Sequence, residues 1–272
     1  MSNLTSRIVS ATIALIILFA AIYFGRELGI YIIALLVILR GSYEMARMFF
    51  VPDYPNASKY FFMALNLILF LIITHPLFKA LSGVMVVVGF VFVVTYGILM
   101  HKSFSSIDRV LTYIIKCCAG ILYCCYLPAS IIWTLQTNFG LEWFFCLLAV
   151  VFAGDIGAYI FGSLFGKTKI APLLSPKKSL QGALGGLAFS TLTAVAFSYF
   201  LPHTPIWILA LTGLLGGVLG QVGDFFESLV KRVAGVKDSG SIMPGHGGIL
   251  DRLDGVLLSG PLFYLMAAYF SL

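Results

Sequence analysis

Apolar residues run along this chain in long unbroken blocks. Stretches of about 20 apolar residues recur from end to end, the length an α-helix needs to cross a bilayer. Nine such segments are read: 8–24, 28–48, 60–76, 81–100, 110–135, 141–166, 183–201, 206–230 and 249–271. A membrane β-barrel would show alternating segments of roughly ten residues, and these blocks do not alternate. The expected fold class is all-α: a polytopic membrane protein with about nine transmembrane helices. The first block, behind Arg7, has the outline of a signal peptide. It is read as a first transmembrane helix, because the chain that follows is itself membrane-embedded.

Composition agrees. Of 272 residues, 60% are hydrophobic and 10% charged, against about 25% charged in a soluble domain. The net charge of +6 is spread unevenly. Nine spans place the termini on opposite sides, and the N-terminal side then carries 13 of the 17 Lys and Arg residues. These are Arg7, Arg40, Arg47, Lys59, Lys102, Arg109, Lys167, Lys169, Lys177, Lys178, Lys231, Arg232 and Lys237. The other side carries only Arg26 and Lys79, while Lys116 and Arg252 fall within segments. The positive-inside rule puts the N-terminus in the cytoplasm and the C-terminus outside. The expected location is the cell (inner) membrane. The basic face meets membrane lipids and anionic metabolites, and no nucleic-acid partner is expected.

Two regions follow within one membrane domain. Residues 1–140 read as plain spans, a scaffold with candidate dimer contacts. Residues 141–272 hold most of the acids and the longest charged loops, and read as the catalytic region. Cys117, Cys118, Cys124 and Cys125 look like a metal cluster. On a helix, however, Cys117 and Cys124 are about 10 Å apart along the axis, so four thiols could not share one ion. They read as small apolar residues, and with Cys146 they make no disulfide framework.

An ionisable residue within a span costs ~2.5–3.5 kcal/mol on insertion scales, which makes it a functional candidate. Three places qualify. Asp155 lies in "FAGDIGAYIFG" between Gly154 and Gly157, whose bare backbones admit a close neighbour; structural hydrogen bonding is the competing reading. In "GLLGGVLGQVGDFFESLVKR", a glycine stripe (Gly213, Gly216, Gly217, Gly220, Gly223) suits tight helix packing. Asp224 and Glu227 follow on one face, with Lys231 and Arg232 behind them, and a plain ion-pair network competes there too. The third place is "KDSGSIMPGHGGILDRLDG", where Asp251 and Asp254 are three apart in what reads as the first turn of the last span. Carboxylates without sulfur suit a hard cation such as Mg²⁺. Gly245, Gly247 and Gly248 offer backbone N–H groups ahead of a helix N-terminus, favourable ground for phosphate. Lys237, His246 and Arg252 add positive charge or donors. A turn followed by helix-favouring aspartates is the alternative.

The loop "GKTKIAPLLSPKKSLQG" lies on the same expected face. Its "GSLFGKT" falls one residue short of a nucleotide-binding loop, and no strand precedes it. Lys177, Lys178 and Ser179 offer point charges and a hydroxyl for a polyanion, although a solvated basic loop would look the same. The whole set fits phosphoryl or nucleotidyl transfer to a lipid.

"SLVKRVAGVKDSGSIMPGHGGILDRLDG" closely resembles the signature of phosphatidate cytidylyltransferases, the CDP-diacylglycerol synthases of bacterial type. The elements S-x-x-K-R, K-D, P-G-H-G-G and D-R-x-D stand at Ser228, Lys231, Arg232, Lys237, Asp238, Pro244 to Gly248, Asp251, Arg252 and Asp254, within 27 residues. "GDIGAYIFG" and "SPKKSLQG" also resemble family motifs, though Gln181 stands where the family often has Glu. The resemblance is strong over 150–260 and only compositional before that. It implies transfer of CMP from CTP to phosphatidate with release of pyrophosphate, in a homodimer with a cleft open to the cytoplasm and to lipid. It implies Mg²⁺, as one or two ions with room for a monovalent ion, on Asp224 and Asp251. On that footing Asp155 and Asp254 line the site, and Lys237, His246 and Arg252 stabilise the reacting phosphorus or the pyrophosphate. Lys177, Lys178, Ser179, Lys231, Arg232, Gly247 and Gly248 bind substrate phosphates. A CDP-ether-lipid synthase, a polyprenol kinase and a polar-lined transporter are the competing functions.

Overall fold

The computed structural model describes residues 3–50, 54–242, 245 and 247–270. Among them, eight helices are long and apolar enough to cross a membrane: Thr12–Phe49, Asn56–Thr74, Pro76–Leu99, Ile107–Leu135, Gly140–Phe165, Leu180–Tyr199, Ile206–Val233 and Leu250–Phe270. The all-α expectation is met, as it must be where the bilayer leaves backbone groups no partner but their own helix.

The expected spans 8–24 and 28–48 fall in one run, α1 (Asn3–Phe49), which is broken at Arg26 (φ 48°, ψ −129°). A Cβ placed on Gly29 would collide with the backbone of Ala21. In a straight helix those residues would stand about 12 Å apart. The chain therefore doubles back at Arg26, with a bare Gly29 where the two arms touch. That is why a count by continuous helix gives eight where the sequence pattern gives nine.

The remaining helices are α2 (Asn56–Thr74), α3 (Ser82–Leu99), α4 (Ile107–Ile121), α5 (Leu127–Leu135), α6 (Gly140–Phe165), α7 (Leu180–Ala196), α8 (Ile206–Val233) and α9 (Leu250–Phe270). A π-helical turn, Leu122–Tyr126, joins α4 to α5. The chain forms two compact units, 1–129 with 233–252, and 130–232 with 253–272.

In the first unit α2 packs on α1 and α3, and α4 packs on α3. An aromatic cluster closes the end of α1. Phe50 has Tyr113 at 5.1 Å, and Tyr54 and Phe62 each at 5.4 Å between ring centroids. Tyr113 Oη donates to the Ser58 carbonyl (3.0 Å), so this buried ring keeps its polar end satisfied. Lys116 Nζ donates to the Phe49 carbonyl at 2.5 Å. A cation on the last carbonyls of a helix complements its dipole, and this contact accounts for a lysine inside a span.

In the second unit, glycines set the spacing. A Cβ on Gly157 would come within 2.7 Å of the Gly185 carbonyl, and one on Gly186 within 2.9 Å of the Gly154 carbonyl, so α6 and α7 touch backbone to backbone. The α8 stripe admits neighbours on both sides: the Ser190 backbone of α7 lies against Gly213, and the Phe263 ring of α9 against Gly216. Two hydroxyls tie the layers, Ser190 Oγ to the Val150 carbonyl and Ser259 Oγ to the Gly216 carbonyl, each at 2.9 Å. Trp143, Leu147, Val150, Leu209 and Phe263 fill the core between them. Within lipid such close packing, more than the hydrophobic effect, holds helices together.

Candidate active site

The predicted site residues fall into two groups, one in each unit. In the second unit the group is built around α8. Gly223 lets that helix approach α9 so closely that a Cβ would strike the Asp254 carbonyl. The next residue, Asp224, is part-exposed and forms an ion pair with Lys178. The Lys178 ammonium also lies 4.2 Å from the centroid of the Phe225 ring. One turn on, buried Glu227 holds Lys231 (Oε2–Nζ 2.7 Å). Asp254 lies within charge–charge range of Asp224, Asp155 and Lys231, and its Oδ1 accepts the Gly255 N–H at 2.9 Å. Asp155 is exposed midway along α6. Three carboxylates and two lysines thus share one region of this unit.

The basic loop ahead of α7 is held in place. Ser179 caps α7, its Oγ accepting the Gly182 N–H at 3.2 Å. Lys169 and Ser179 pair as an antiparallel bridge, with Leu180 N–H on the Thr168 carbonyl at 2.8 Å. Gln181 Oε1 accepts the N–H groups of Lys167 (3.1 Å) and Thr168 (3.2 Å). An acceptor oxygen is what this position uses, and an amide supplies one as a carboxylate would. Arg232 Nε donates to the Leu174 carbonyl at 3.5 Å, tying the loop to α8. Lys177 is exposed.

In the first unit the group surrounds the start of α9. Gly245 (φ 77°) and Gly247 (φ 84°) carry the chain through left-handed conformations that suit glycine. Asp251 Oδ2 accepts the N–H groups of Ser239 and Gly248, each at 2.8 Å, and lies 2.9 Å from Ser239 Oγ. The next two amides, Ile249 and Leu250, donate to Oε2 of Glu44 at 2.9 and 3.1 Å. The glycine N–H groups expected to await phosphate are therefore partly engaged: Gly248 already serves Asp251. A helix start needs its first donors satisfied, and two carboxylates do so here. Lys237 and Arg252 are exposed. Met243, Pro244 and His246 lie outside the described residues.

Glu44 went unread in the sequence. It sits near the end of the segment 28–48, where an acid passes for a membrane-surface residue. The available signal was Arg40 four residues earlier, an i,i+4 pair now seen at 3.0 Å.

Among the described residues, no three His, Cys, Asp or Glu side chains are grouped to hold a metal ion between them. Mg²⁺ does not require such a group, since it is usually held by one or two carboxylates with substrate phosphates and water completing its shell. At Asp224 a cation is already in place, the Lys178 ammonium. A carboxylate that gathers positive charge, in a group with only oxygen donors, fits a hard divalent ion.

A model described as the cytidylyltransferase family matches residues 5–270. The chain belongs to the cytidylyltransferase family. Among curated relatives in this family, a phosphatidate cytidylyltransferase of Staphylococcus haemolyticus (strain JCSC1435) is 36% identical over 173 residues, 63% of this chain and 64% of that protein. The Staphylococcus epidermidis (strain RP62A) phosphatidate cytidylyltransferase is 37% identical over 175 residues, 64% of this chain and 65% of its own length. That of Staphylococcus aureus (strain COL) is 36% identical over 175 residues. The chain thus spans about 64% of the length of the curated relatives it matches.

Proposed function

We propose that this chain is a membrane nucleotidyltransferase that transfers CMP from CTP to phosphatidate, giving CDP-diacylglycerol and pyrophosphate for phospholipid synthesis. The observation that carries the reading is the signature from Ser228 to Asp254, complete in a chain that a cytidylyltransferase model matches over residues 5–270. The activity for which the relatives are named supports the substrate pair.

In this reading a phosphate oxygen of phosphatidate attacks the α-phosphorus of CTP. The new P–O bond forms as the bond to the bridging oxygen breaks, and pyrophosphate leaves with that electron pair. Phosphatidate is already an anion, so no strong general base is required, and His246 need not act as one. Mg²⁺ on Asp224 and Asp251 would neutralise charge on the triphosphate as it is displaced. Lys178 exchanges its Asp224 partner for a phosphate oxygen. Glu227 holds Lys231 extended toward the same region, so that its charge is placed before substrate arrives. Lys177 and Ser179, from the loop that Gln181 clamps, and Arg232, from the end of α8, bind phosphate. Gly247 and Gly248 offer bare backbone to a substrate phosphate. Lys237, Arg252 and His246 meet the reacting phosphorus or the leaving group, and Asp155 and Asp254 line the cleft. The same reading includes nine crossings with the N-terminus in the cytoplasm, an active site facing that side of the cell membrane, and a homodimer.

The test is direct. Purified protein is incubated with labelled CTP, phosphatidate and Mg²⁺, and the lipid fraction is assayed for a CTP-dependent liponucleotide with matching pyrophosphate release. A folded sample that makes none sinks the reading. Release of nucleoside diphosphate without pyrophosphate would point to a kinase instead.

A further inference from the structure

Glu44 is fully buried, and its four hydrogen-bond partners lie on three separate pieces of chain. Oε1 takes Arg40 Nε at 3.0 Å. Oε2 takes Ile249 N–H at 2.9 Å, Leu250 N–H at 3.1 Å and Ser239 Oγ at 3.0 Å. The same Ser239 hydroxyl lies 2.9 Å from Asp251 Oδ2. Three successive amides at the start of α9 are thus divided between two carboxylates: Gly248 to Asp251, Ile249 and Leu250 to Glu44. Ser239 stands between the two acids. The surrounding sequence makes room for this. A Cβ on Gly240 or on Gly248 would strike the Glu44 carboxylate, and one on Gly41 would come within 3.1 Å of Leu250.

We propose that Glu44 is a positioning residue for Asp251: a carboxylate from α1 anchors the first turn of α9 and, through Ser239, sets the direction of the Asp251 carboxylate. Its bearing on turnover rests on the cytidylyltransferase reading above; its bearing on the geometry of Asp251 does not. A carboxylate held by hydrogen bonds keeps one orientation without reorganising when a cation or substrate arrives. Glutamine in place of Glu44 keeps the size but loses the charge, and must turn an NH₂ donor toward either Arg40 or two backbone N–H groups. Aspartate keeps the charge on a shorter stem.

The experiment compares wild type, Glu44→Gln, Glu44→Asp and Ser239→Ala in detergent, by amide hydrogen exchange and by Mn²⁺ titration followed by electron paramagnetic resonance. In Glu44→Gln the amides of Ser239 and Gly248, which bond Asp251 and not Glu44, should lose protection along with Ile249 and Leu250. Mn²⁺ affinity should fall by roughly 10- to 100-fold, the usual effect of removing a group that orients a metal ligand, with partial recovery in Glu44→Asp. Wild-type protection at Ser239 and Gly248 would overturn the proposal, even if the variant melted earlier. If Glu44→Gln does not fold, Ser239→Ala decides: weakened Mn²⁺ binding supports the link, and wild-type affinity overturns it. A wild type that binds Mn²⁺ but makes no liponucleotide defeats the enzymatic reading alone. A wild type that binds no Mn²⁺ leaves the exchange data to decide.

Discussion

At the scale of single residues, several polar side chains spend their hydrogen bonds on holding backbone in place. Asp251 is one of them. Its Oδ2 accepts two amide N–H groups, which an asparagine carbonyl could also accept. Asp251→Asn should therefore keep a monodisperse, folded protein in detergent while turnover falls by about 100-fold or more, as when a group stabilising transition-state charge is removed. Near-normal liponucleotide synthesis by that variant would take Asp251 out of the reacting centre. Gln181 makes the opposite case. Its amide oxygen accepts Lys167 and Thr168 N–H groups, so charge is not what the position requires. Gln181→Glu should stay within a fewfold of wild type. Gln181→Ala, which abandons two hydrogen bonds worth ~0.5–1.5 kcal/mol each, should raise the KM for CTP more than it lowers kcat, because the loop with Lys177 and Lys178 loses its clamp. Steady-state kinetics of the two variants side by side would show it.

At the scale of elements, the glycines of α8 determine which carboxylates can approach one another. Gly223 lies against the Asp254 backbone, and its neighbour Asp224 carries the Lys178 pair. A methyl group there must push α8 and α9 away from each other. Gly223→Ala should cost ~1–3 kcal/mol, the range for overpacking a close contact, and should also reduce activity by separating Asp224 from Asp254. Gly83 in α3 is the contrast, since a Cβ there meets nothing within 4 Å. Gly83→Ala should be neutral, or stabilising by up to ~1 kcal/mol through helix propensity. Melting temperatures of the pair in one detergent measure the difference. Opposite rankings would mean that the stripe is not a packing surface. The glycine stripe was legible in the sequence because its spacing of three and four residues repeats along one helix. The partner of each glycine was not, because spacing along α8 does not say which helix lies opposite.

At the scale of the whole molecule, the all-α class was legible for a related reason. A bilayer accepts few backbone solutions, and long apolar blocks select among them without any tertiary information. The break at Arg26 (φ 48°) was legible as well, since it falls in the charged gap between the segments 8–24 and 28–48. One feature lay beyond that logic. Glu44 reaches Leu250 across 206 positions of chain, and an acid at the end of a span gives no hint of so distant a partner. The motif from Ser228 to Asp254 carries the family resemblance, yet Glu44, which shares Ser239 with Asp251, comes from the stretch of chain read as scaffold. Topology is the property that sequence proposes most strongly here, and it can be measured outright. The reversal at Arg26 and the distribution of lysines and arginines predict nine crossings, with residues 167–179 and 233–248 in the cytoplasm and residues 77–80 and 202–205 outside. In a background lacking the five native cysteines, Lys177→Cys and Lys237→Cys should react with an impermeant maleimide only when the cytoplasmic face is accessible. Lys79→Cys and His203→Cys should react in intact cells. Tags on the two termini should then appear on opposite faces. Termini on one face would mean an even number of crossings, and would place Asn3–Phe49 as a single membrane passage despite its break.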